Sequence, residues 1–266
     1  MFQLCITKTT KNMETKTKIA LVTGGSRGLG KNSALKIAQK GLDVIITYRS
    51  NQEEAEAVVQ EVKAIGRNAA AFQLDTKDRK SFDPFVEEVT NYLKETTGSS
   101  HIDYLVNNAG TALYSPITDV TEEQMDDMVD IHFKGVFFLT QKLLPFINDG
   151  GGIINISSGL ARFATPGSSV YGSIKAGVEM LTKYMAKELG SRKIRANVIA
   201  PGAIETDFGG GRVRDNKEIN EMVAGATALG RVGLPDDIGG VVAFLCTEDA
   251  GWINGQRIEA SGGMFL

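Results

Sequence analysis

Cysteine is nearly absent from this chain: Cys5 and Cys246 are the only two in 266 residues. They lie at opposite ends, which excludes a disulfide scaffold and any C-x-x-C metal or redox pair and suits a reducing compartment. Histidine is as scarce, with His101 and His132 alone, so a protein-built zinc site is not expected. Lys plus Arg number 29 against 32 Asp plus Glu, a formal charge of -3. Without a basic excess, neither nucleic acid nor an anionic membrane is an expected partner. Apolar runs such as Val241 to Leu245 fall far short of the roughly 20 residues that span a bilayer. Met1 to Ile6 is too short for a signal-peptide core and follows no basic region. The expected address is the cytoplasm, and the expected partner is a small molecule.

What is present describes a globular chain, 42% hydrophobic and 23% charged, long enough for a sizeable core. Residues 1–16, rich in Lys and Thr, read as a flexible extension, with Met13 as an alternative start because a strand follows at once. From Lys18 onward, short apolar runs alternate with longer amphipathic ones, the signature of a parallel sheet wound with helices. Strands are expected at Ile19 to Thr23, Val44 to Thr47, Ala69 to Leu74, Tyr104 to Asn107, Ile153 to Ser157, Ile194 to Ile199 and Arg257 to Ala260. Helices are expected at Gly28 to Lys40, Gln52 to Ile65, Ser81 to Glu95, Glu122 to Ile147, Ser169 to Leu189 and Pro235 to Leu245. In the second, Ala55, Val58, Val59, Val62 and Ile65 recur at helical spacing and mark one inward face, with Glu53, Glu54, Glu56 and Glu61 solvated. No linker or repeat interrupts the pattern. The fold class is therefore α/β, a single-domain, doubly wound parallel sheet of Rossmann type over residues 17–266, with about seven strands and helices on both faces.

Directly after the first strand, Thr23-Gly24-Gly25-Ser26-Arg27-Gly28-Leu29-Gly30 leads into a helix. Glycines there let the backbone turn with positive φ and approach a pyrophosphate, while the helix start offers unpaired N–H groups to the anion. Three residues separate Gly24 from Gly28 and one separates Gly28 from Gly30. This T-G-x(3)-G-x-G spacing resembles the short-chain dehydrogenase/reductase family, and further motifs follow in order. Asn107-Asn108-Ala109-Gly110 ends the fourth strand, Ser158 ends the fifth, and Tyr171 with Lys175 lies on the next long helix, thirteen residues after Ser158. Pro201-Gly202-Ala203-Ile204-Glu205-Thr206 ends the sixth. The resemblance covers Lys18 to Leu266, and in general pattern it is nearest to 3-oxoacyl carrier-protein reductases.

The family resemblance implies a nicotinamide cofactor. An NAD-preferring dehydrogenase usually places a carboxylate at the end of the second strand, where it would repel a 2′-phosphate. This chain has Tyr48 there, then Arg49, with Arg27 in the glycine loop, and two guanidinium groups facing no acid favour NADP(H), with NAD(H) the alternative. By resemblance, Asp75 contacts the adenine, Asn108 the adenosine ribose, and Ile204 and Thr206 the nicotinamide carboxamide.

A carbonyl that has received hydride needs a proton, and a phenol with pKa near 10 is poorly poised to give one at neutral pH. An ammonium four residues on along a helix favours the phenolate. Tyr171 is accordingly the expected proton donor, Lys175 its tuner and the ribose anchor, and Ser158 the group that orients the substrate oxygen. Ser157 is set aside because side chains alternate along a strand and the family spacing falls on Ser158. His132 stands where the family usually carries an asparagine that kinks a helix and holds a relay water. Either the imidazole binds that water and titrates near neutrality, or it packs in the helix while another group holds it.

The stretch near 207–232, with Gly209 to Gly211 as a hinge and a helix over Glu218 to Ala228, is expected to form a substrate lid. Arg212 and Arg214 on it either attract an acidic substrate or are only solvated, the commoner state of arginines on a mobile loop. The expected activity is interconversion of a carbonyl and a secondary alcohol. One alternative is a carrier-protein reductase, for which Arg192 is suited and Asp149 is not. The other is a nucleotide-binding sensor without turnover. By resemblance, the long helices and the C-terminal segment form a homotetramer, with Phe137, Phe138 and Phe265 either between subunits or in the core.

Overall fold

Runs of Val, Ile, Leu and Ala apolar on both sides build strands that helices cover on both faces. They are β1 (Ile19–Val22), β2 (Asp43–Tyr48), β3 (Ala69–Gln73), β4 (Ile102–Asn107), β5 (Ile147–Ile156), β6 (Arg195–Pro201) and β7 (Arg257–Ala260). The computed structural model describes residues 17–266, so the expectations for residues 1–16, including a start at Met13, lie outside the described residues. All seven strands run parallel in one sheet, in the order β3-β2-β1-β4-β5-β6-β7. The chain reverses direction across the sheet between β1 and β4, and such a switch opens a crevice at the strands' carboxyl ends.

Alternation along the strands divides the core in two. On one face Ala20, Val22, Val44 and Ile46 pack under α1 (Gly28–Gln39), α2 (Gln52–Ala64) and α9 (Pro235–Leu245). On the other, Ile19, Leu21 and Ile45 pack under α3 (Phe82–Thr97), α5 (Gly135–Leu143) and α6 (Ser169–Glu188). Complete burial of each Val, Leu or Ile side chain among them stabilises by roughly 1.5–3 kcal/mol. The helices begin where local chemistry supplies a cap. Asn51 accepts from the Glu54 N–H at 3.2 Å ahead of α2, and Thr121 and Gln124 cap each other reciprocally ahead of α4 (Glu122–Val129).

Three expectations need correction. Ile65 does not share the inward face of α2; it follows the helix and is exposed. The helix expected over Glu122 to Ile147 is not continuous, because a wide π turn at Asp130–Lys134 separates α4 from α5. Gly135 permits the close passage just beyond that turn, since a Cβ there would stand 2.7 Å from the Thr76 carbonyl oxygen. Pro145 then ends the helix within a short tight turn, and β5 begins at Ile147 rather than Ile153. A register shift between Ile102 and Tyr104 absorbs the irregular start of β5.

Two short helices, α7 (Arg212–Asp215) and α8 (Lys217–Gly225), lie beyond β6. They follow Gly209, Gly210 and Gly211, whose φ values of +65°, +74° and +74° are left-handed and strain any side-chain-bearing residue. Among the described residues, no helix is long and apolar enough to cross a membrane.

Candidate active site

The crevice between β1 and β4 is closed at its base by direct hydrogen bonds. Thr23 Oγ1 accepts from the Asn108 and Ala109 N–H groups at 2.9 and 3.0 Å. The Asn108 side-chain amide donates to the Thr23 and Gly24 carbonyls at 2.8 and 3.1 Å. That amide nitrogen therefore braces the glycine loop, a role the ribose contact expected of Asn108 did not include. Tight packing makes two glycines necessary here. A Cβ on Gly24 would stand 3.0 Å from Ala109 Cα, and one on Gly30 would stand 2.1 Å from the Gly24 carbonyl oxygen.

Arg27 precedes α1 in an extended conformation, and no side chain caps the helix N-terminus. Its first-turn N–H groups thus have no side-chain cap, which suits an anion site. Ser26 and Leu29 flank this turn, both partly buried. Tyr48 ends β2 partly buried, and Arg49 and Arg27 are exposed. Neither arginine forms an ion pair among the described residues. Asp75, beyond β3, accepts from the Lys77 N–H at 2.9 Å and so shapes its own turn. From the other side, the loop after β6 reaches the glycine loop: a Cβ on Gly28 would lie 3.7 Å from Thr206 Cβ. Pro201 continues the β6 ladder to Ala260, and Ile204 bridges to Gly233. Gly202 serves packing, since a Cβ there would stand 2.9 Å from Ser261 Cα.

Ser158, Tyr171 and Lys175 converge at the mouth of this crevice. Ser157 and Ser158 point to opposite environments. Buried Ser157 donates to Glu179 Oε1 at 2.7 Å, whereas the Ser158 hydroxyl accepts from the Leu160 N–H at 3.2 Å and acts on the Tyr171 phenol. Tyr171 lies one turn before Lys175 on α6, and the Lys175 ammonium sits 5.6 Å from the Tyr171 ring centroid. That ammonium is buried and donates to the Ile156 carbonyl at 2.7 Å. Burial pulls its pKa from 10.5 down to about 8. The phenol moves the other way. Burial raises its pKa above the ordinary value, and the nearby Tyr114 phenol adds to this against the Ser158 hydroxyl. Lowering of the phenol pKa by Lys175 is therefore not a property of these side chains alone.

His132 occupies the π turn, 1% exposed, with its ring edge-on to Tyr171 at 5.3 Å between centroids. Its Nε2 lies 2.8 Å from the Thr111 carbonyl oxygen and 3.2 Å from the Thr111 nitrogen. Donation to the carbonyl is the shorter choice and leaves Nδ1 as a buried acceptor without a partner. Burial first, and the Lys175 charge second, lower the imidazole pKa to about 3. Of the two readings of His132, this burial favours the ring packed in the helix over the one that titrates near neutrality.

Other charges are spent locally. Arg192 pairs with Asp149 at 2.8 Å and donates to the Leu144 and Ile147 carbonyls, so the cation suited to the carrier-protein alternative is engaged internally. Arg214 is held by Asp207 and Asp215 rather than offered to a ligand. Two residues not singled out in the sequence border Tyr171, namely Tyr114 and Phe208. Their signal was available as aromatics on exposed loops just beyond Gly110 and Thr206.

The profile described as Enoyl-(Acyl carrier protein) reductase matches residues 24–265. A 3-oxoacyl-[acyl-carrier-protein] reductase of Staphylococcus aureus is 39% identical over 252 residues, covering 94% of this chain and 99% of that protein. Among solved structures, the promiscuous reductase LugOII, which catalyses keto-reduction at C1 during lugdunomycin biosynthesis, superposes with a TM-score of 0.89 at 38% identity, covering 94% of this chain and 99% of its own. The angucycline C-6 ketoreductase LanV with bound NADP gives 0.90 at 37% identity, covering 94% and 97%.

Proposed function

The chain belongs to the short-chain dehydrogenase/reductase family, and from that premise we propose that it is an NADP(H)-dependent oxidoreductase that reduces a ketone on a small molecule to a secondary alcohol. The convergence of Ser158, Tyr171 and Lys175 at one crevice mouth carries this reading. The residues fit the cofactor. Positive φ at Gly24 and Gly28 and the uncapped start of α1 suit a pyrophosphate, and Arg27 and Arg49 suit a 2′-phosphate where no carboxylate ends β2. Thr206, close to Gly28 of the glycine loop, would hold the nicotinamide end together with Ile204. The related ketoreductase structure with NADP bound supports the same choice.

When bound, NADPH supplies the hydride to the carbonyl carbon. The Ser158 hydroxyl donates to the substrate oxygen and stabilises its growing negative charge. Tyr171 Oη gives that oxygen its proton, and the Lys175 ammonium favours the resulting phenolate. His132 acts as a neutral positioning group whose Nδ1 accepts from a relay water, and it does not exchange protons itself. The segment near 207–232 acts as the lid. Half-exposed Phe137, Phe138 and Phe265 support assembly as a homotetramer.

The test is NADPH oxidation, followed by absorbance, over a panel of ketones, comparing the parent with Tyr171→Phe. Turnover that falls by about 10²–10⁴ in the variant is expected for loss of the general acid. NADPH binding without turnover of any ketone would instead assign a sensor.

A further inference from the structure

Two half-exposed aromatic rings lie near Tyr171. Phe208 is 45% exposed, and its ring centroid lies 6.0 Å from that of Tyr171 at an interplanar angle of 54°. Tyr114 is 48% exposed and carries the Arg212 guanidinium over its ring, 5.1 Å from the centroid. The two rings come from different loops, one after β4 and one after β6. Gly209, next to Phe208, joins them: a Cβ there would stand 3.1 Å from Tyr114 Cε2. Tyr114 is therefore held at one edge by the glycine and on one face by a cation–π contact, which limits the freedom it loses when a ligand arrives.

The surrounding charges discriminate between occupants. On the segment that follows Phe208, Arg214 is paired with Asp207 and Asp215, and Arg212 lies over the Tyr114 ring. An acidic carrier protein docking here would have to compete with those carboxylates for Arg214 and with the Tyr114 ring for Arg212. A flexible acyl chain would also meet the rings without a π face of its own and would lose more rotational freedom on ordering.

Resting on the reductase reading above, we propose that the substrate is a ring ketone fused to an aromatic ring, held against Tyr114 and Phe208 with its carbonyl at Ser158 and Tyr171. The rings provide the offset or edge-to-face contacts that a fused aromatic system seeks.

Two measurements test this. The first compares kcat/KM for 2-tetralone and for ethyl acetoacetate with NADPH. The parent is expected to favour 2-tetralone at least tenfold, and Tyr114→Ala and Phe208→Ala each to lower that ratio at least fivefold, chiefly through the KM for 2-tetralone. The second measures 2-naphthol, a planar phenol, binding to the NADP+-loaded protein by calorimetry, and each variant is expected to weaken it at least fivefold. Both substitutions fall at half-exposed positions, where folding tolerates change. Preference for ethyl acetoacetate, or affinity for 2-naphthol indifferent to both rings, overturns the proposal while leaving the reductase reading intact. Ring-dependent 2-naphthol binding with no ketone reduced overturns the reductase reading and upholds the aromatic site.

Discussion

Lys175 donates to the Ile156 carbonyl across 2.7 Å of protein interior, so the helix that carries Tyr171 is tied to the strand that leads to Ser158 by a buried charge. The tie is costly, because burial draws the lysine pKa from 10.5 to about 8. Between those pH values the unfolded chain binds the extra proton, so stability rises with pH across the window, and below it the full cost is present. Lys175→Met removes the charge and leaves one carbonyl unpaired. It is expected to abolish turnover yet unfold at a higher denaturant midpoint at pH 7, by on the order of 1–2 kcal/mol after the lost hydrogen bond is counted. The gain should shrink toward pH 10. Urea titrations at both pH values check this, and a less stable variant at pH 7 would contradict it.

His132 is expected to leave the pH profile of kcat unmoved between pH 5.5 and 8, because its pKa lies at about 3. Its protonation matters for stability instead. The unfolded chain takes up a proton near 6.5 and the folded chain only near 3, so stability is lost as pH falls through this range. His132→Asn should lose less stability between pH 7 and 5 than the parent. A shifted kcat midpoint in His132→Asn would show that the ring does titrate during turnover.

Gly110 and His132 occupy complementary space, since a Cβ on Gly110 would stand 2.5 Å from His132 Cε1. Gly110→Ala should therefore cost roughly 1–3 kcal/mol through overpacking. Adding the smaller residue of His132→Ser should recover part of that loss in a double-mutant cycle. Additive losses would show that the two positions do not share the space.

Arg27 and Arg49 are expected to set cofactor choice. NADPH should bind more tightly than NADH, with the difference falling as salt rises, because exposed guanidinium groups are screened within about 10 Å at 0.1 M. Arg27→Ala/Arg49→Ala should reduce the discrimination at least tenfold. Fluorescence titration with both nucleotides reads the result, and equal affinities in the parent would remove the clamp.

The glycine spacing after β1, the Tyr171 and Lys175 pair, the missing carboxylate after β2 and the sequence of strands are all legible in the sequence. Each is carried by local order: apolar runs of strand length, helical periodicity, or a turn that only glycine permits. The break in the long helix was not, because a π turn at Asp130–Lys134 hides inside a periodicity that reads as continuous. The choice between Ser157 and Ser158 was inferred from alternation, but the reason lies in Glu179, twenty-two residues from Ser157. Chain proximity likewise does not reveal that Arg192 is spent on Asp149, forty-three residues away, or that Gly209 meets Tyr114. The sequence by itself determined which chemistry the chain carries and on which elements. Only the tertiary structure decided the state of that chemistry, because burial and the pairing of distant charges made His132 silent, brought the Lys175 pKa near neutrality and left two aromatic rings open beside Tyr171.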